Sequence, residues 1–301
     1  MATIPDQSGR LVVVTGANSG IGYVTARELA RRGAHVTLAC RSGERGEAAL
    51  GRLRAEVPGA RLELRQLDLA ALASVRAFAG DWHHGRLDLL VNNAGVAVVP
   101  FARTRDGFEM HFGVNHLGTF ALTGLMLPHL LAGREPRVVT VGSEGHRARR
   151  FDFANLDARQ GYRASDAYVW SKRANLLFAV ELQRRAARAG WALRSMAVAP
   201  GLTRTNILTG GANRARGQGY HLLVRTAERL FFQNVERGAR TSLHAATADL
   251  PGGSWVVPRG LLQLRGAPTC RPQEPALHDA VSATRLWELS EELTGVVYPR
   301  G

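Results

Sequence analysis

Short apolar runs alternate with helical patterns through most of this 301-residue chain. Val and Leu dominate the runs at residues 11–15, 87–92 and 137–141. Strands of this kind are buried on both faces, as in a parallel sheet covered by helices. Because crossovers between parallel strands are right-handed, the alternation predicts a doubly wound α/β fold of about seven strands with helices on both faces.

No linker or internal repeat divides the sequence, so residues 1–301 are predicted to form a single domain. The stretch 203–222 is rich in Gly, Arg, Thr and Asn, and with the helical pattern after it predicts a lid over residues 203–232. Residues 250–301 read as a C-terminal extension. It holds a short strand at 255–257, a proline- and glycine-spaced loop at 258–275 and a final helix at 279–293.

The formal net charge of +14 raises the question of nucleic-acid binding. The arginines are spread over the whole chain and interleaved with acidic residues, and their densest groups, 147–150 and 184–188, belong to no nucleic-acid motif. A positive field also favours the capture of an anionic small molecule. We therefore expect a small-molecule substrate and no nucleic-acid partner.

Cysteine content and hydropathy further restrict the class of protein and its expected location. Cys40 and Cys270 cannot build a disulfide framework, and neither the cysteines nor the ten histidines show metal-ligand spacing. The first ten residues lack the basic start and apolar core of a signal peptide, and no apolar stretch is long enough for a membrane span. We expect a cytoplasmic protein without a metal centre.

Residues 15–22, with the sequence TGANSGIG, lie between the first predicted strand and the first predicted helix. Glycines at such a turn let the backbone approach a pyrophosphate, which then meets the N-terminus of the helix. Glycine is also frequent in purely structural turns, but this placement favours a dinucleotide site. The residues predicted to contact the cofactor here are Gly16, Asn18, Ser19, Gly20, Ile21 and Gly22.

Arg41 follows the end of the second predicted strand, where no acidic residue stands. An acid at that point accepts the ribose hydroxyls of NAD, whereas an arginine accommodates the 2′-phosphate of NADP. Arg41 therefore favours NADP(H), with NAD(H) as the alternative coenzyme, although an ordinary surface arginine would fit the same position. The next two strand ends would complete the site with Asp68 and Leu69 near the adenine and with Asn93, Ala94 and Gly95 in a small-residue turn.

Tyr168 and Lys172 lie one helical turn apart, on one face of a predicted helix. A nearby ammonium, together with the positive nicotinamide of an oxidised cofactor, favours the phenolate and lowers the pKa of a tyrosine, which suits proton transfer to or from an alcohol oxygen. The same pair would also fit an amphipathic helix surface. Lys172 is, however, the only lysine among 39 basic residues, which indicates a position that needs a compact ammonium.

Two further polar residues stand near the predicted chemical end. Ser143 follows the fifth strand, at the sheet edge where α/β folds bind ligands, and could donate a hydrogen bond to a substrate oxygen or cap a turn. Asn115 lies inside a long helical pattern, where asparagine is a poor helix former. Its position indicates a kink or a held water, although a solvated face would explain it equally.

In order and spacing over about residues 8–250, the chain resembles the short-chain dehydrogenase/reductase family, whose domain is a Rossmann-type fold. The resemblance rests on the 15–22 turn, the 92–95 turn, the PGLTRT segment at 200–205, and the four polar residues just described. It implies a catalytic tetrad of Asn115, Ser143, Tyr168 and Lys172. Tyr168 would be the acid/base, Ser143 would steady the substrate oxygen, Lys172 would bind the nicotinamide ribose, and Asn115 would hold a water. The 200–205 segment would embrace the nicotinamide through Pro200, Gly201, Thr203 and Thr205.

Within that family the sequence is most similar to the retinol dehydrogenase-like branch. The segments ACR at 39–41, VNHLG at 114–118 and GARTSLH at 238–244 carry this similarity. Gly142 and Ala199 depart from it, because many relatives have serine and histidine there. The substrate-facing regions follow no pattern of the branch, so its substrate is not carried over. Substrate contacts are expected from His146, Leu202 and Ile207.

The resulting functional hypothesis is NADP(H)-dependent hydride transfer to or from a bulky or lipophilic carbonyl or secondary alcohol. The arginine-biased composition fits a bacterial enzyme acting on a natural-product intermediate. One alternative is an epimerase or dehydratase that retains its cofactor on the same fold, and another is a non-catalytic NADP(H)-binding sensor or scaffold. The C-terminal extension favours a monomer or homodimer over a tetramer.

Overall fold

The computed structural model describes residues 4–147, 151–158, 160–203, 233–272, 274 and 278–299. The apolar runs of the sequence form the strands of one sheet, and they do so close to the predicted bounds. The strands are β1 (Leu11–Thr15), β2 (His35–Cys40), β3 (Leu62–Gln66), β4 (Leu89–Asn92), β5 (Arg137–Val141), β6 (Arg194–Val198), β7 (Trp255–Pro258) and β8 (Pro268–Cys270).

The sheet has the order β3-β2-β1-β4-β5-β6-β7-β8, and its first seven strands in sequence are parallel. This arrangement confirms the doubly wound α/β fold. The eighth strand is a correction, because residues 258–275 were predicted to be a loop. β8 runs antiparallel to β7, with Val256 opposite Cys270 and Val257 opposite Thr269.

Helices cover both faces of the sheet and enclose two large apolar cores. One core packs the first, second and sixth helices against the sheet, and the other packs the third, fourth, fifth and last helices. No helix among the described residues is both long and apolar enough to cross a membrane. The helices are α1 (Gly20–Arg31), α2 (Gly43–Glu56), α3 (Leu72–Gly80), α4 (Gly118–Leu131), α5 (Ala164–Arg188), α6 (Val235–Thr247) and α7 (Ala280–Thr294).

Candidate active site

A cleft of about 1280 Å³ runs along the carboxyl ends of the parallel strands. This is the edge where open α/β sheets bind ligands. Its volume exceeds the roughly 300–1,000 Å³ of most small-ligand sites, so it has room for a dinucleotide and a second molecule. Predicted residues in its wall are Gly16, Asn18, Ser19, Gly20, Ile21, Arg41, Asp68, Leu69, Asn93, Ala94, Gly95, Ser143, Tyr168, Lys172, Pro200, Gly201, Leu202 and Thr203.

The glycine turn after β1 packs directly against the turn after β4. Gly16 has a φ of +67°, and a Cβ there would lie 3.0 Å from the Cα of Ala94. A Cβ on Gly22 would overlap the carbonyl oxygen of Gly16 and the amide of Asn93. Thr15 fixes the two turns together, because its Oγ1 accepts hydrogen bonds from the backbone N–H groups of Asn93 and Ala94 at 3.0 and 2.9 Å. Gly22 therefore shapes the turn from behind and does not line the cleft.

The N-terminus of α1 is suited to an anion. Its N-cap residue, Ser19, makes no side-chain capping bond, and no acidic residue occupies the first turn. Backbone N–H groups at such a terminus carry a partial positive charge and favour phosphate oxygens. The donor set at this end of the cleft thus fits the pyrophosphate of a dinucleotide.

Three arginines stand at the same end of the cleft. Arg41 and Arg45 are exposed, and Arg45 lies at the start of α2, which Ser42 caps. Arg52 donates to the backbone oxygen of Asn18 at 3.3 Å and lies 4.7 Å from the centre of the Tyr23 ring. Sequence reasoning found Arg41 and missed the other two.

At the other end of the cleft, α5 presents Tyr168 and Lys172 beside the end of β5. The phenol of Tyr168 is hydrogen-bonded to Ser143, which lies two residues after the end of β5. The Nζ of Lys172 donates to the backbone oxygen of Val141 at 3.0 Å. The structure thus brings together the tyrosine, serine and lysine that the sequence places 25 and 29 positions apart.

Burial decides the protonation of this group. Burial, aided by the Glu144 carboxylate and opposed by the Ser143 hydrogen bond, raises the pKa of Tyr168 to about 12. Burial also lowers the pKa of Lys172 to about 8. The lowering of the Tyr168 pKa expected from Lys172 together with the positive nicotinamide of an oxidised cofactor stays a prediction.

Asn115 lies behind the cleft wall, in a π-helical segment, Phe112–Leu117, that precedes α4. This segment is the kink that the asparagine indicated. Its Oδ1 accepts from the N–H of Val96 at 2.8 Å, and its Nδ2 donates to the oxygen of Val96 and to the Oγ of Ser171, both at 2.9 Å. Ser171 in turn donates to the backbone oxygen of Tyr168. Both amide hydrogens of Asn115 are thus used in holding the cleft wall.

The turn at residues 96–99 forms part of the apolar wall and is strained, since Val98 has a φ of +50°. Branched residues rarely adopt this region of backbone space. Val99 at its far end donates to the Nε2 of His111 at 3.3 Å and accepts from the phenol of Tyr162 at 2.6 Å. His111 also contacts the buried Glu109 carboxylate through Nδ1 at 2.8 Å. The buried Glu109–His111 pair and Tyr162 therefore hold the strained turn in place.

Replacement of Tyr162 by Phe should loosen this turn without touching the tyrosine that faces Ser143. We expect KM for a carbonyl substrate to rise about fivefold, the equivalent of one hydrogen bond of about 1 kcal/mol, with kcat nearly unchanged. Steady-state kinetics measure both constants. Tyr298→Phe is the matched control, because Tyr298 is a buried phenol that also donates to a backbone oxygen, that of Phe120. A fall in kcat at constant KM would contradict a role in shaping the wall.

The segment after β6 closes the cleft next to Ser143 and Glu144 through several hydrogen bonds. Gly201 has a φ of +70° and donates to the Oε1 of Glu144 at 2.9 Å. Leu202 donates to the backbone oxygen of Leu264 at 3.2 Å, which ties the segment to the C-terminal extension. Leu262 and Leu264 themselves line the cleft. Glu144 directly follows the predicted Ser143, and this adjacency was the available signal, whereas a loop brings the two leucines there from a distant part of the chain.

Some predicted residues are not placed in the cleft. Thr205, Ile207 and the rest of the lid from residue 204 to 232 lie outside the described residues. His146 belongs to a 3-10 turn, Glu144–Arg147. The structure describes the backbone of His146 but not its side chain. Ala199 packs in the core beside Trp255.

Gly142, which departs from the branch pattern, also has a structural reason. A Cβ at this position would lie 3.3 Å from the indole of Trp255, which is buried under the end of β5. A serine there would have to displace this ring, because 3.3 Å is shorter than ordinary van der Waals contact. The absence of a side chain at Gly142 therefore leaves the space that the Trp255 ring occupies.

One cleft thus combines a glycine turn at a helix N-terminus, space for two molecules, and Ser143 and Tyr168 beside the buried Lys172. These features are typical of an NAD(P)-dependent oxidoreductase that acts on an alcohol or carbonyl. The model of the short chain dehydrogenase family matches residues 10–214. The chain belongs to the short-chain dehydrogenase/reductase family.

Individual relatives support the same assignment. Retinol dehydrogenase 12 of Mus musculus is 40% identical over 291 residues, which cover 96% of this chain and 87% of that protein. Polyprenol dehydrogenase of Mus musculus is 42% identical over 303 residues, or 97% of this chain and 86% of the relative. The crystal structure of an uncharacterised protein from Mycobacterium paratuberculosis matches with a TM-score of 0.81 and 43% identity, covering 99% of this chain and 98% of that one. The similarity to the retinol dehydrogenase-like branch is confirmed.

Proposed function

We propose that this protein transfers hydride between NADP(H) and a bulky or lipophilic carbonyl or secondary alcohol, with Tyr168 as the general acid/base. The observation that carries the proposal is the hydrogen-bonded Tyr168–Ser143 pair beside the buried Lys172, at one end of a cleft whose other end holds exposed arginines. Bound NADPH would supply the hydride. The protein supplies the proton donor, the donor to the substrate oxygen and the shape of the pocket.

The protonation state of Tyr168 is compatible with a role as the proton donor in carbonyl reduction. With a pKa raised to about 12, the phenol carries its proton at neutral pH and can donate it to a developing alkoxide. Ser143 would donate a second hydrogen bond to the same oxygen. Lys172, with a pKa lowered to about 8, is still mostly charged at pH 7 and would stabilise negative charge on the phenol oxygen as the proton leaves.

The apolar wall supports a bulky or lipophilic substrate. Val99, Met110 and Val114 line one side of the cleft, and Leu262 and Leu264 of the C-terminal extension line another. Retinol and polyprenol, which the two mouse relatives are named for, are long apolar alcohols, and their class is the first to test here. The bacterial origin, the cytoplasmic location and the monomeric or dimeric state stay predictions from the sequence.

The proposal is tested by following nicotinamide absorbance with NADPH or NADH and a panel of aldehydes and ketones that includes retinal and polyprenal. We expect kcat/KM to be at least about tenfold higher with NADPH, because Arg41 and Arg45 can pair with the 2′-phosphate. Arg41→Ala should raise KM for NADPH about tenfold or more and leave KM for NADH within about twofold.

Arg54→Ala is the matched control, since Arg54 is also exposed on α2 but does not line the cleft. An equal loss with both coenzymes would refute 2′-phosphate recognition by Arg41. Cofactor binding without reduction of any carbonyl would instead favour a sensor. Turnover of an alcohol with no net change in nicotinamide absorbance would favour an epimerase or dehydratase.

A further inference from the structure

Three side chains of metal-ligand type meet at the amino-terminal edge of the sheet, away from the cleft. His35 opens β2, Glu63 is the second residue of β3, and His84 lies in the loop between α3 and β4. One ligand atom of each lies within 4.8 Å of the others, and all three residues are half-buried. Over the described ranges, this is the one group of three His, Cys, Asp or Glu residues so arranged.

We infer that His35, Glu63 and His84 form a structural binding site for Zn²⁺ or a similar first-row divalent cation. Two imidazoles and one carboxylate are a ligand set that zinc accepts, with water at the fourth position. Ligand atoms about 2.1 Å from a tetrahedral ion lie about 3.4 Å apart. The Nε2 of His84 and the Oε2 of Glu63 are 2.8 Å apart, so the ion requires only small side-chain movements.

The surroundings hold these side chains ready for a metal. The ring of His84 packs against Trp82, His83 and His35, with ring centres 4.9, 4.1 and 5.0 Å away.

The ligand types select among cations. The cluster offers a single carboxylate, and the guanidinium of Arg65 lies 3.8 Å from the second oxygen of this Glu63 side chain. Mg²⁺ and Ca²⁺ depend on several oxygen ligands and gain little in such surroundings. Imidazole nitrogens instead favour zinc, cobalt, nickel and copper.

The position of the site points to a structural role. β2 runs from His35 to Cys40, about 16 Å at 3.3 Å per residue, and Arg41 in the cleft follows its far end. A metal at His35 therefore lies at the edge of the sheet opposite to the chemistry. It would cross-link β2, β3 and the loop before β4, which come from three separate parts of the chain.

The test uses untagged full-length protein that has been treated with a chelator. Titration with Co²⁺ should give visible absorption bands that saturate at one ion per chain, and Zn²⁺ should displace the bands. His84→Ala should weaken Zn²⁺ binding, measured by calorimetry, by about 100-fold or more. His278→Ala is the matched control, because His278 is exposed and distant in sequence from the cluster, and its Zn²⁺ affinity should equal that of the wild type.

Thermal unfolding separates a structural site from incidental binding. Zn²⁺ should raise the Tm of the wild type and of His278→Ala but not that of His84→Ala, while Mg²⁺ should change none of them. Equal Zn²⁺ binding by wild type and His84→Ala, or no binding by the wild type, would overturn the inference. Binding without any rise in Tm would overturn the structural role. Far-UV circular dichroism and NADPH binding confirm that each variant is folded, independently of whether a substrate for the enzyme is found.

Discussion

Tyr168→Phe should reduce kcat/KM for carbonyl reduction about 10³-fold or more and leave NADPH affinity within about threefold. General acid–base catalysis by a placed side chain contributes about 10²–10⁴-fold, and Phe keeps the ring while it removes the proton. The loss should be larger than for most single changes because the phenol of Tyr168 lies in the cleft wall, hydrogen-bonded to Ser143, where it is placed to transfer the proton. Stopped-flow or steady-state absorbance measures turnover, and NADPH fluorescence measures binding.

Tyr298→Phe again serves as the control, since it removes the hydroxyl of a buried phenol that lies outside the cleft. Its kcat/KM should stay near that of the wild type even if its stability falls by about 1 kcal/mol. If Tyr168→Phe kept more than a tenth of the wild-type activity, the proton would have to come from another group. Ser143 is the next donor at that position, and Ser143→Ala would then distinguish the two.

The fold was predictable because its strands correspond to short apolar runs that can be recognised locally in the sequence. Near-continuous apolar runs mark strands buried on both faces, and β1 and β5 begin and end at the predicted residues. β8 was missed because Pro268–Cys270 is a three-residue edge strand that is only half-buried. Its sequence has no apolar run, and its pairing depends on where the chain returns to β7 after a long loop.

The cleft was predictable wherever a residue directly follows a strand, because parallel strands end at one edge. Ser143 and Asp68 illustrate this rule. Leu264 reaches the cleft through tertiary contacts, which the hydrophobic periodicity of the sequence does not predict. The burial that raises the pKa of Tyr168 was also beyond the sequence, since it depends on tertiary packing.

Lys172→Met should stabilise the protein at neutral pH while it impairs catalysis. Burial lowers the pKa of Lys172 from 10.5 to about 8, so the folded state binds the lysine proton more weakly than the unfolded state does. That difference corresponds to a penalty of at most about 3 kcal/mol at pH 7. Met fills a similar volume without a charge. The oxygen of Val141 keeps a donor, because the Nδ2 of Asn175 lies 3.2 Å from it.

The lowered pKa of Lys172 also predicts how the stability difference between the two proteins changes with pH. Between the folded pKa of about 8 and the unfolded value of 10.5, the unfolded state holds more protons, so wild-type stability rises with pH in this window. The penalty is fully present below pH 8 and is gone above pH 10.5. The stability gain of Lys172→Met should therefore be largest at pH 7 and should shrink towards zero by pH 10.5. Urea unfolding of both proteins at several pH values measures the difference.

Lys172→Arg separates charge from shape. It keeps the positive charge in the same buried position, and a guanidinium is larger and does not give up its proton in proteins. We expect it to be less stable than Lys172→Met at every pH and to restore little activity. If Lys172→Met were less stable than the wild type at pH 7, burial of the ammonium would not be the unfavourable element we infer. If it were more stable, the only lysine of the chain would be a residue that lowers stability in the service of catalysis, as functional sites often do.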